Sequence, residues 1–303
     1  MIVYRELSSL TADLGVSART LYAVSNGLDR HYRKVCIPKK SGGERCLSVP
    51  DGLLRDIQRR ITRTLLVHMP VSAHAMAYRF GGSTVRNAAS HVGKPLLLSL
   101  DIRDFFDSIL YSDVKRTAFP AEIYAEPLRV LLTILCYHRD GLPQGAPSSP
   151  AISNILLREF DDETAAWCGR RGIAYTRYCD DMAFSGDFDP EEVSASVRER
   201  LRGMGLFLND CKTRSARVGQ RQAVTGIVVN EKQSVPIAYR RRLRQELYFC
   251  RKYGVTEHLR HEGSGVSPRT YLETLYGRVN YVLQVMPGDR EMQEYRAWLE
   301  ERL

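Results

Sequence analysis

An α+β fold, with an antiparallel sheet backed by helices and a small helical region after it, is what three stretches of this 303-residue sequence predict. Pro95-Leu96-Leu97-Leu98-Ser99-Leu100 is a continuous apolar run suited to a buried strand, and it delivers Asp101 at its end. Ile173 to Tyr178 and Met182 to Ser185, rich in β-branched and aromatic residues and closed by Gly172 and Gly186, read as a tight hairpin with Asp180 and Asp181 at its tip. Beyond residue 236 the pattern is helical, with a basic opening at Tyr239-Arg240-Arg241-Arg242-Leu243-Arg244.

The elements follow in order. Leu10 to Leu21 has helical spacing with a break at Gly15-Val16-Ser17, which fits two short packed helices better than a DNA-reading pair. Val35 to Lys40 and Glu44 to Val49 form a hairpin turning on Gly42 and Gly43, with Lys39, Lys40 and Arg45 at its basic end; these suit either a triphosphate or plain solvent. The loop Gly141 to Pro150 launches a helix, with Ser149 as its cap and Pro150 at its first position; Ile152, Ile155, Leu156 and Phe160 face the core. Gln144 is the side chain of that loop long enough to reach a ligand. Asp189-Pro190-Glu191-Glu192 starts another helix, buried along Val193, Val197 and Leu201. Leu206-Phe207-Leu208 reads as a strand, and Ser267-Pro268 starts a helix with Leu272, Leu275, Val279 and Val282 on one side.

Composition narrows the class. A net charge of +9 implies an acidic partner, with nucleic acid first because Lys and Arg neutralise phosphates. No apolar run approaches the roughly 18 residues of a membrane span, and the N-terminus carries Glu6 and Asp13 without an apolar signal block, so the expectation is a cytoplasmic protein with no membrane partner. The seven cysteines are odd in number and scattered, which reads as reduced packing residues and neither a zinc site nor a disulfide framework.

The chemistry rests on carboxylates. A carboxylate at the end of a core strand is costly unless compensated, and a turn holding two more without Gly or Asn breaks the preference of short hairpins. If strand and hairpin lie side by side, Asp101, Asp180 and Asp181 can hold two Mg²⁺ ions, with Mn²⁺ as a substitute, about 3.5 to 4 Å apart. That is the arrangement of metal-assisted phosphoryl transfer. Asp104 and Asp107 read as capping or solvated residues.

With these features in order, the chain resembles the reverse transcriptases, and more narrowly the bacterial retron reverse transcriptases, over nearly its whole length. The general motifs are Ile37-Pro38-Lys39-Lys40 to Arg45, Asp101 with Phe105-Phe106, Leu142-Pro143-Gln144-Gly145, Tyr178-Cys179-Asp180-Asp181 and Lys212-Thr213. The retron-like segments are Asn87-Ala88-Ala89-Ser90-His91, whose spacing on a helix would put Asn87 and His91 on one face, and Val224-Thr225-Gly226. Cys179 and Ser148 stand where alanine and threonine are commoner. The resemblance implies a right-hand polymerase: N-terminal helices and fingers over 1–94, a ferredoxin-like palm over 95–235 with part of the fingers inserted at about 112–140, and a helical thumb over 236–303.

It also implies roles. Asp101, Asp180 and Asp181, with the backbone of Ile102, would bind the metals; Lys39, Lys40, Arg45, Gln144 and Gly145 would hold the deoxynucleoside triphosphate. Phe106 would exclude a 2′-hydroxyl, and Lys212 would protonate pyrophosphate. Asn87, His91, Val224, Thr225 and Gly226, with Arg240, Arg241 and Arg244, would meet RNA; local structural roles for Asn87 and His91 carry equal weight. The implied function is copying of a cognate structured noncoding RNA into branched DNA from an RNA 2′-hydroxyl, giving an RNA–DNA product. A host ribonuclease H and an anti-phage effector protein are implied partners. The alternatives are a group II intron-like or other bacterial reverse transcriptase, an RNA polymerase, and a noncatalytic RNA-binding protein on the same scaffold.

Overall fold

A computed structural model of the chain describes residues 2–38 and 42–303. The fold is α+β, as expected. Strands β1 (Tyr32–Pro38) and β2 (Glu44–Pro50) pair antiparallel, with Ile37 opposite Arg45. A four-stranded sheet contains β3 (Leu96–Asp101), β4 (Ala174–Tyr178), β5 (Asp181–Gly186) and β6 (Arg214–Arg217) in the order β4-β5-β3-β6. A third, two-stranded piece joins β7 (Ala223–Val224) to β8 (Ile227–Val228).

Helices separate β3 from β4, and the helix Pro190–Gly203 separates β5 from β6, so the sheet follows the β-α-β-β-α-β pattern of ferredoxin-like folds. Its first and third strands are the central neighbours. Leu96, Leu97, Leu98 and Leu100 are all at most 3% exposed, which is why β3 reads as an unbroken apolar run. The helices start where their caps dictate. Asp189 accepts from the Glu191 amide ahead of Pro190–Gly203, and Ser267 accepts from the Thr270 amide ahead of the helix Pro268–Val285.

The chain divides into two compact units, Met1–Gly82 with Leu98–Ser215, and Ser83–Leu97 with Ala216–Leu303. The first holds a continuous core that includes Leu10, Leu14, Leu21 and Val24 of the two N-terminal helices, Leu7–Leu14 and Ala18–Asn26, along with Leu98, Leu100, Phe160 and Phe184. In the second, Leu243, Leu247, Leu275, Val279 and Val282 are buried where its helices pack.

Four local expectations are corrected. Cys36 and Cys46 are joined in a disulfide, because the β1–β2 register sets them directly opposite; Cys136, Cys168, Cys179 and Cys250 are buried free thiols, and Cys211 is an exposed one. Leu206-Phe207-Leu208 forms only an isolated bridge, Leu208 to Ile102, and the strand completing the sheet is β6 further on. Ser148, not Ser149, occupies the cap position of the helix Ser149–Leu156; the Ser149 hydroxyl donates to the Pro143 carbonyl instead. Asn87 lies on the helix Thr84–Ala89, which ends before His91, so the two do not share a helical face.

Candidate active site

The turn between β4 and β5 is two residues long. Tyr178 pairs with Asp181, leaving Cys179 and Asp180 as the loop, so of the two aspartates expected at the tip only Asp180 is there and Asp181 is the first residue of β5. Cys179 has φ +62°, a left-handed conformation at the position where short hairpin turns favour glycine. Beneath it lies Arg177, fully buried and ion-paired with the equally buried Asp161. Its Nε and Nη2 donate to the two Asp161 oxygens at 2.8 and 2.6 Å, and its Nη1 donates to the Cys179 carbonyl at 2.8 Å. The Tyr175 hydroxyl donates to the same carboxylate at 2.7 Å. Two buried charges are tolerable here because nearly every donor and acceptor is matched. Nothing in the spacing of Asp161 and Arg177 along the chain announces this clasp.

Strand β3 is tied to the turn. The Ile102 amide donates to the Asp180 carbonyl at 3.1 Å, so the end of β3 and the acidic tip are adjacent. On the other side the Asn209 amide donates to the Asp101 carbonyl at 2.8 Å, and this brings in the short helix Asp210–Lys212. Lys212 Nζ donates to Asp101 Oδ2 at 2.8 Å.

Asp101 is 4% exposed, and its Oδ1 has no hydrogen-bond donor among the described residues. Asp181 keeps solvent access on one side, yet the protein packed around it, then the Asp180 and Asp101 charges, push its carboxyl up to about 6. The hydrogen bond to Asp101 holds the Lys212 ammonium above its ordinary range. Three carboxylates against one ammonium, one of them with an orphaned buried oxygen, have the chemistry a hard cation takes, although the oxygens of Asp101, Asp180 and Asp181 do not all lie within 4.8 Å of one another.

The loop Leu142 to Gly145 packs against the segment that follows Asp101. The Leu142 amide donates to the Phe106 carbonyl at 2.9 Å, and a Cβ at Gly141 would stand 2.7 Å from the Asp107 Cα, so glycine permits this approach. Phe105 is buried at 3% exposure, while Phe106 is half-buried against it with ring centroids 5.2 Å apart. Gln144 Nε2 donates to Asp107 Oδ2 at 3.2 Å. Gly145 has φ +122° and sits where a Cβ would be 3.1 Å from the Ser48 carbonyl oxygen of β2. Lys39, Lys40 and the Arg45 side chain lie outside the described residues.

The remaining residues expected to meet RNA belong to the second unit. Thr225 (φ +47°) and Gly226 (φ +84°) are the two-residue turn between β7 and β8. Both have the positive φ of a type I′ turn, and for a β-branched threonine that is unusual. The Thr225 hydroxyl donates to the Thr84 carbonyl at 3.3 Å and accepts from Asn87 Nδ2 at 3.5 Å, bringing the two segments together. Asn87, His91 and Val224 are buried. Arg240 pairs with Asp289 and Arg244 with Glu291, whereas Arg241 is exposed and forms no ion pair among the described residues.

The family model "Reverse transcriptase (RNA-dependent DNA polymerase)" matches residues 37–239, and the chain belongs to that family. The curated relatives it matches include several retron reverse transcriptases. The retron Mx65 reverse transcriptase of Myxococcus xanthus is 35% identical over 81% of this chain and 63% of its own length. The retron Ec86 reverse transcriptase of Escherichia coli is 28% identical over 85% of this chain and 82% of its own. The chain thus spans a little under two thirds of the first of these and most of the second. Among solved structures, a telomerase from Candida albicans aligns at TM-score 0.47 and 12% identity over 89% of this chain and 63% of that one, a distant likeness.

Proposed function

We propose that the chain is a retron-type RNA-directed DNA polymerase that copies a cognate structured RNA. The observation that carries the reading is the joining of the end of β3, which bears Asp101, to the Cys179–Asp180 turn, which Asp181 follows, through the Ile102 amide. Divalent metal dependence is general to the family; two Mg²⁺ ions, held by Asp101, Asp180 and Asp181 with the Ile102 backbone, would lower the barrier by activating the attacking oxygen and stabilising the leaving one. Lys212 contributes a fixed positive charge beside Asp101 and is the proton source for pyrophosphate. Half-buried Phe106 supplies an apolar wall where a 2′-hydroxyl would go unpaired, and Gln144 and Gly145 border the same space. Lys39, Lys40 and Arg45 complete the nucleotide contacts.

RNA recognition falls to the second unit. Exposed Gly226 and exposed Arg241 suit direct contact, with Asn87 and Val224 supporting the turn from within and His91 buried in the same unit. Arg240 and Arg244 have acidic partners, so they contribute only by exchanging those partners for phosphate. Priming from an RNA 2′-hydroxyl, a branched RNA–DNA product, removal of template by a host ribonuclease H and service to a defence effector are inferred from the retron relatives.

An Asp180→Asn, Asp181→Asn double variant tests the reading. Incorporation of labelled deoxynucleotides on an RNA template with a DNA primer should fall roughly 10³-fold while RNA retention on a filter is unchanged. Wild-type synthesis by the double variant would overturn it.

A further inference from the structure

Phe80 is fully exposed, at 104% of its reference surface, while most of the apolar side chains of its unit are packed. Scattered surface apolar residues are ordinary. What sets Phe80 apart is the rigidity of the loop that presents it. The Met76 amide donates to the Arg177 carbonyl at 2.7 Å, and the Arg177 amide to the His74 carbonyl at 2.9 Å, stitching the loop to β4. Asn154 Nδ2 donates to the Ala77 carbonyl at 2.8 Å, and Arg79 Nη1 to the Ser72 carbonyl at 3.2 Å. Gly82 closes the turn so tightly that a Cβ there would lie 2.4 Å from the Met76 carbonyl oxygen. Tyr78, at φ +57°, places its hydroxyl against the Cys179 thiol of the acidic turn.

A flat apolar ring held rigidly in water, two residues from a tyrosine that touches the metal-binding turn, is suited to a base with an open π-face. We propose that Phe80 is a stacking platform for the first unpaired template base. The inference rests on the polymerase reading, since a polymerase site is where an unpaired template base must wait. Half-buried Arg79 adds positive charge beside the ring for the strand's backbone.

The test uses the full chain and an RNA template annealed to a DNA primer, with 2-aminopurine at the first unpaired template position. Wild type and Phe80→Trp should quench the fluorophore on binding. Phe80→Ala should not, and its affinity for this substrate should fall about 5- to 100-fold. Affinity for a blunt duplex should be the same in all three proteins. Unchanged quenching and affinity in Phe80→Ala would overturn the proposal, as would an equal loss on the blunt duplex. Wild-type protein that quenches but makes no DNA would sink the polymerase reading and leave the platform standing.

Discussion

At the scale of single residues, the carboxylates and the arginine beneath them differ in how legible they are. Asp101 stands out because an acid at the end of an apolar run has no bland explanation. Arg177 does not, because an arginine in an alternating strand reads as solvent-facing, and Asp161, next to Phe160 of the helix read from Pro150, carries no signal of its own. Only the fold brings them together. Asp161→Asn should lower the unfolding free energy by roughly 3 to 5 kcal/mol, since it strands the buried guanidinium. An Arg177→Met, Asp161→Leu pair should recover most of that in a denaturant titration. It should still need about 10-fold more divalent metal for half-maximal DNA synthesis, because the Cys179 carbonyl has lost its donor.

At the scale of elements, periodicity identifies the strand ending at Asp101, the acidic hairpin and the main helices. It fails at short pieces whose existence depends on a partner: the bridge at Leu208, β6, and the β7–β8 hairpin. The disulfide escapes it for the same reason, because facing positions follow from strand register and not from cysteine spacing. The Leu142–Gly145 loop shows how one missing side chain sets an approach. Gly145→Ala combines strain at φ +122° with a 3.1 Å encounter with Ser48. It should cost about 1 to 3 kcal/mol, read as a lower thermal midpoint.

At the scale of the whole molecule, stability should depend on pH through His91. Burial, then the Lys94 charge, lower its imidazole to about 4. The unfolded chain, titrating near the ordinary value of roughly 6.5, takes up a proton that the folded chain refuses. His91 therefore favours the fold fully above about pH 6.5, and this contribution declines as pH falls toward 4, by about 3 kcal/mol in all. Asp181, with its carboxyl pushed up to about 6, acts with the opposite sign over the same range. The slope due to His91 should therefore be read as the difference between wild type and His91→Asn in denaturant titrations from about pH 7.5 to 5.

The division into two units has a consequence for synthesis. The chain crosses between them after Gly82, inside β3 and again inside β6, so neither unit is a continuous segment. On a ribosome, Asp101 emerges first and waits for Asp180 and Asp181, then for Lys212, which follows it by 111 residues. The nascent chain therefore carries a half-made acidic site, one carboxylate without its neighbours or its ammonium, until the segment leading into β6 has been translated.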